Sequence, residues 1–240
     1  MSHPSRRSRT PTATAILLAA TALAACGDSP TDPGGVCAAV VNMFPTPVSD
    51  LTSPFPAIDD SFLLVPFASG FQFSFYGTQY SNVYLNTNGG MTFSDGWDDY
   101  DVAASDVDVP GIAVFWGDLD AGQTTASTAR ANQMTYEACS DRFIVRYTQF
   151  QDNDDDTRNN TGTITLEASG RITIQYGSVL SQDILAGVFD GSHTDNRYVA
   201  VQNSYSAYAT TGTGTILFDD WGPGPTHTGQ LTNRTIVFNP

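Results

Sequence analysis

From Phe62 onward the chain alternates short apolar runs with clusters of turn-forming residues. Phe71, Phe73 and Phe75 alternate with Gln72 and Ser74, a period of two that buries one face of a strand. Val83-Tyr84-Leu85-Asn86 and Met91-Thr92-Phe93 flank Thr87-Asn88-Gly89-Gly90. Asn-Gly predicts a hairpin turn there, because both residues accept positive φ. Ile112-Ala113-Val114-Phe115-Trp116 is continuously apolar, which predicts a central strand covered on both faces. Residues 134–138 and 143–150 read as strands around Cys139-Ser140-Asp141, and 163–168 and 172–176 as a hairpin across Ser169-Gly170. Residues 184–189, 198–201, 215–218 and 235–238 complete the set. No amphipathic helix and no internal repeat stand out. The pattern predicts an all-β, antiparallel β-sandwich of roughly ten to twelve strands in a single domain.

Composition supports this. The chain has no Lys, and its only Glu residues are Glu137 and Glu167. The residues that fill helix surfaces are thus scarce, while Thr, Tyr, Phe, Val, Gly and Asn abound. The formal net charge is −15. Such a surface repels phosphate backbones and argues against nucleic-acid binding. It suits solvation or the binding of cations.

The N-terminus reads as targeting rather than fold. Arg6, Arg7 and Arg9 precede an uncharged stretch over residues 10–25. Its apolar part falls short of the about 20 residues needed to span a bilayer, and suits a signal-peptide core. It ends in Leu23-Ala24-Ala25-Cys26, which resembles the lipobox of bacterial lipoproteins. That resemblance implies cleavage before Cys26 and acylation of the cysteine. Each buried methylene contributes about 0.8 kcal/mol, so several acyl chains hold a domain on a membrane. An ordinary secretory signal with an incidental Cys is the other reading. Gly27 in place of Asp favours the outer membrane by analogy with Gram-negative sorting. The expected organisation is a signal peptide over 1–25, an acylated Cys and flexible tether over 26–36, and a domain over 37–240. Cys37 and Cys139 are then left to pair in an oxidising compartment, or to be buried separately as thiols.

The stretch from Phe71 to about Val201 resembles the nidogen-type extracellular domain, NIDO, in its bacterial variants. Six segments carry the likeness. They are Phe73-Ser74-Phe75-Tyr76-Gly77, Tyr80 through Phe93, Pro110-Gly111-Ile112-Ala113-Val114-Phe115-Trp116-Gly117-Asp118-Leu119-Asp120, Arg142-Phe143-Ile144-Val145-Arg146-Tyr147, Gly170-Arg171-Ile172-Thr173-Ile174-Gln175-Tyr176-Gly177 and Ala186-Gly187-Val188. Val114 stands where the family commonly has Pro, and Tyr147 where it has Trp. The resemblance implies an extracellular β domain of adhesion and matrix proteins, without naming a ligand.

Three acidic stretches could carry chemistry. Asp118 and Asp120 lie two apart, so in an extended strand both face one side and could share a hard cation. Calcium takes six to eight oxygen ligands. An Asx cap on the turn is the plainer reading. Asp152, Asp154 and Asp156 have the spacing of an EF-hand start. Thr157 stands where the loop needs Gly and Thr163 where it needs Glu, so this is no EF-hand. A weak calcium loop and a solvated charge run remain. Trp97, Asp98, Asp99 and Tyr100 form a candidate ligand-binding surface for sugar or peptide, or else a long surface loop. Calcium is the one cofactor these residues suggest. His193 and His227 have no zinc spacing, and no Gly-x-Ser-x-Gly elbow occurs, so no enzyme is expected. The expected role is a lipid-anchored binding or adhesion module with a glycan, matrix-polymer or protein partner; a structural envelope or assembly element without a small ligand is the alternative, and a secreted hydrolase, which would need two converging carboxylates in a pocket, comes third. Replacing Cys26 by Ser should move the chain from the membrane fraction to the soluble one and abolish incorporation of a labelled fatty acid. Retention of both in the variant would remove the anchor.

Overall fold

A computed structural model of the chain describes residues 35–43, 60–100, 108–120, 133–155, 157–192, 199, 201–208, 216–219 and 228–240. Cys26 and the tether up to residue 34 lie outside the described residues, as does Asp156. The strands are β1 (Val41–Asn42), β2 (Phe62–Pro66), β3 (Phe73–Phe75), β4 (Thr78–Tyr80), β5 (Asn82–Asn86), β6 (Gly90–Thr92), β7 (Gly111–Trp116) and β8 (Leu119–Asp120). They continue as β9 (Gln133–Ala138), β10 (Arg142–Asp152), β11 (Asn159–Glu167), β12 (Ile172–Tyr176), β13 (Leu185–Phe189), β14 (Ser204–Tyr205), β15 (Ile216–Asp219) and β16 (Thr235–Phe238). A single-turn helix, Thr228–Leu231, precedes β16.

One sheet has the order β1-β9-β10-β11-β12-β16-β14, with β8 also paired to β10. The second runs β15-β13-β7-β6-β5-β2, and β3 with β4 makes a separate hairpin. Pairing is antiparallel except between β14 and β16, which run parallel. The all-β sandwich expected from the sequence is present. Its strand count among the described residues is higher than ten to twelve, because two-residue strands such as β1, β8 and β14 join the sheet edges. The strand expected over 198–201 is not seen at Val201; pairing with β16 falls instead on Ser204–Tyr205.

The two sheets enclose one aromatic core. In β10 and β11 buried and half-buried residues alternate along the strand, as a sheet with one solvated face requires. β7 is buried at every residue. Ile112, Val114 and Phe115 belong to the inter-sheet core, whereas Ala113 and Trp116 join Val109, Leu185 and Phe189 in a second cluster, with Trp97 packed against it. This is the strand covered on both faces that the sequence predicts.

Phe115 meets Tyr147 across the sheets, edge-on with ring centroids 5.7 Å apart, and lies 6.5 Å from Phe150. Small residues permit this approach: a Cβ on Gly162 of β11 would fall 2.6 Å from Val114 Cγ2. The fully buried Tyr147 hydroxyl donates to Gly90 O at 2.7 Å, tying β10 to β6. Burial drives that hydroxyl far above the ordinary tyrosine range, so it stays neutral and keeps its proton to donate.

Cys37 and Cys139 form a disulfide across a sequence separation of 102 residues. It joins the N-terminal edge to the turn between β9 and β10. Closing a loop of this size contributes roughly 4–5 kcal/mol in the chain-entropy account. Replacing Tyr147 by Phe keeps the ring but strips one donor from a buried carbonyl. That should cost about 1 kcal/mol and lower the melting temperature by about 2–4 °C, measured by calorimetry. An unchanged melting temperature would show that the hydroxyl does not help hold the sheets.

Candidate functional site

The hairpin turn between β5 and β6 is the first element of the site. Only Gly89 takes positive φ, at 87°; Asn88 does not, so the turn differs from the one in which both residues are left-handed. Gly89 is needed for closeness as well: a Cβ there would lie 2.7 Å from the Phe115 ring. The Gly89 carbonyl accepts from the N–H groups of Val114 and Phe115 at 3.0 and 3.2 Å. The turn is therefore packed inside the molecule rather than exposed. Thr87 and Asn88 are 0 % and 1 % exposed.

Burying these polar groups costs free energy unless they find partners. Thr87 Oγ1 accepts from Ser61 N at 3.0 Å and donates to Ser61 O at 3.2 Å. Asn86 Oδ1 accepts from Gly90 N at 2.8 Å. Asn88 Nδ2 donates to Asp60 Oδ1 at 3.0 Å, while Asn88 Oδ1 is buried without a partner. Asp60 is exposed and left-handed, with φ 44°. It precedes β2 and did not stand out in the sequence.

The second element is the end of β7. Gly117 N donates to Asn88 O at 3.2 Å, which sets Asp118 next to the turn. β8 then pairs with the end of β10, with Leu119 opposite Asp152 and Asp120 opposite Gln151. This register brings the acidic loop after β10 onto Asp118. Asn153 N donates to Asp118 O at 2.9 Å, and Asn153 Nδ2 to Asp118 Oδ2 at 3.2 Å. Two acidic stretches separate in sequence, with Asp60 added, thus form one rim.

The members differ in role. Asp120 is only 6 % exposed and sits within β8, while Asp118 is half-buried at the rim, so the two do not stand side by side at the surface. Asp152 Oδ1 accepts from Asp154 N at 3.1 Å and Asp152 Oδ2 lies 3.8 Å from Arg158 Nη1. Asp155 faces Arg158 at 3.3 Å and accepts from Thr157, which holds its carboxyl below the usual range. Asp154 is exposed. Burial raises the Asp118 carboxyl; Asn153 opposes this, and Asp60, Asp154 and Asp152 add to it by charge repulsion. Among the described residues, the trio of Cys and acidic donor atoms gathered within 4.8 Å is Cys37, Glu137 and Cys139, and the disulfide accounts for it.

The second candidate surface is only partly a surface. Trp97 is half-buried against the outer cluster on β7 and β13, so it is not the exposed aromatic that a stacking site would need. Its packing covers the outer face of the sheet. Trp116 Nε1 donates to Asp99 O at 2.9 Å, pinning the loop. Asp98 and Asp99 are exposed, and Tyr100 is 49 % exposed. No described helix is long and apolar enough to cross a membrane.

Two sheets, antiparallel but for the β14–β16 pair, with a disulfide and a carboxylate-rich loop rim, define the chain as a disulfide-linked β-sandwich module. Residues 43–240 match the family model described as NIDO related, and the chain belongs to that family. Membership marks an extracellular, adhesion-type module. No curated protein and no solved structure matches the chain.

The raised Asp118 carboxyl, pushed up first by burial and then by its acidic neighbours, has a measurable consequence. A carboxyl whose folded pKa lies above its unfolded value binds its proton more tightly in the folded state. Stability then falls as pH rises from the unfolded pKa through the folded one, and the penalty is complete at neutral pH. In chelator, Asp118→Asn should raise the melting temperature at pH 7 by about a degree, a small gain because the group is only half-buried and solvent screens it. Below about pH 4 the gain should vanish. A gain of equal size at both pH values would place its origin outside the charge.

Proposed function

We propose that the protein is a lipid-anchored, surface-facing recognition module, held by Cys26, that binds a glycan, a matrix polymer or a surface protein through its acidic rim and catalyses no reaction. The observation that carries the reading is the convergence of Asp60, Asp118 and Asp154 on one end of a fully packed sandwich. A rigid core beneath exposed polar loops suits recognition, because the scaffold fixes loops that would otherwise lose entropy on binding.

A structural envelope role is the second reading. Val36 and Val40 are 87 % and 57 % exposed beside β1, an edge strand of the large sheet. An uncovered edge with apolar neighbours is a template for strand pairing with another chain.

The full chain, purified in mild detergent, would be applied to glycan and matrix-protein arrays. Saturable binding that weakens at least about tenfold, or about 1.4 kcal/mol, in Asp154→Ala supports the rim reading. The chain lacks Lys, so amine-directed cross-linkers have little to react with. A photo-cross-linker at Val40 would instead capture an edge partner in the envelope. Silent arrays together with a specific adduct at Val40 would favour the structural role.

A further inference from the structure

We propose that Asp60, Asn88, Asp118 and Asp154 form a calcium site in which the Asn88 carboxamide oxygen is the buried ligand. The Asn88 side chain is 1 % exposed, its nitrogen is bound to Asp60, and its oxygen has no partner. A buried carboxamide oxygen left unpaired is destabilising unless something else satisfies it. The nitrogen on the same carbon donates to Asp60, and the Asn88 backbone carbonyl accepts from Gly117 N beside Asp118, so the side chain lies between two of the rim's carboxylate-bearing residues. A cation there would satisfy the oxygen and offset the repulsion among the carboxylates at once.

The donors are all oxygens, which selects a hard cation. They come from four separate segments: the residue before β2, the buried turn after β5, the loop after β7 and the loop after β10. Such a set suits calcium, with its larger and more adaptable shell at about 2.3–2.6 Å, better than magnesium, which demands a tight octahedron. Asp152 and Asp155 are excluded as principal ligands because they cap their own loop and face Arg158. The carboxylates of Asp60, Asp118 and Asp154 do not all lie within 4.8 Å of one another, so binding must draw the exposed Asp154 toward the wall fixed by Asn88.

This deepens the rim reading by naming its cofactor, yet it is tested with the bare ion. Failure here leaves adhesion standing, and silent arrays leave the calcium site standing. The full chain in detergent would be unfolded thermally in EDTA, in 10 mM calcium and in 10 mM magnesium. A dissociation constant near the about 10⁻⁴ M of extracellular calcium modules should raise the melting temperature by about 5 °C or more in calcium. Magnesium should have little effect. Asp60→Asn and Asp118→Asn should each lose most of the calcium response while melting in EDTA no lower than the parent, which shows that they fold. Glu167→Gln, which removes a charge on the distant β11–β12 hairpin, should keep the response. No rise in the parent, an equal rise with magnesium, or a full response in both variants would overturn the site. If a variant melts lower in EDTA, calcium titration calorimetry below its transition decides in the same way.

Discussion

The close approach of the two sheets at Phe115 and Tyr147 is the constraint on which the rest depends. The aromatic residues at this contact are fully buried, and each large side chain removed from water contributes about 1.5–3 kcal/mol. That gain requires the strands to come together, and a glycine makes it possible. Gly162 allows β11 to reach Val114, where a Cβ would fall 2.6 Å from Val114 Cγ2. The Tyr147 hydroxyl then bonds the backbone of the opposite sheet. Where the NIDO pattern has Trp, Tyr still fills the space and adds a polar tip that finds a partner. The loops at the ends are attached to this frame.

Much of that frame is legible in the chain. Period-two alternation at Phe73 and Phe75, the unbroken apolar run in β7, and the Gly turns after β5 and β11 all mark elements that form where the pattern places them. These signals are local, so sequence carries them. The two-residue strands β1, β8 and β14 carry no local period. They exist because a neighbouring strand offers unpaired groups, and the parallel pairing of β14 with β16 is equally non-local. Trp97 misleads for a related reason. Its acidic neighbours suggest a solvent-facing loop, but the ring is needed to cover the outer face of β7 and β13.

The candidate site shows the same division more sharply. Asp118 and the run from Asp152 stand out as acidic stretches, but nothing in their spacing says they meet. The register of β8 on β10, with Leu119 opposite Asp152, is what joins them. Asp60 is an isolated acid ahead of the first long strand. Asn88 looks like an ordinary turn residue, and Asn-Gly turns are normally exposed. The one available signal is the run Ile112–Trp116: a strand apolar throughout needs cover on both faces, and the neighbouring turn must come close enough to supply some of it.

The position of that turn gives the rim two unlike sides. On one side Asn88 is held by the packing of Gly89 against Phe115 and by the two N–H groups that the Gly89 carbonyl receives. Moving it would disturb the inter-sheet contact itself, so this wall is fixed at the cost of core stability. On the other side Asn153 and Asp154 are exposed and held to Asp118 and Asp152 by a few hydrogen bonds. Exposed segments with few buried contacts open at low free energy, whereas core strands open only with the whole domain. A ligand or ion at the rim would thus find geometry set by the core on one side and adjusted by a loop on the other. The energetic link runs in both directions: whatever draws the loop onto Asn88 also stabilises the sandwich beneath it, because the same residues serve both.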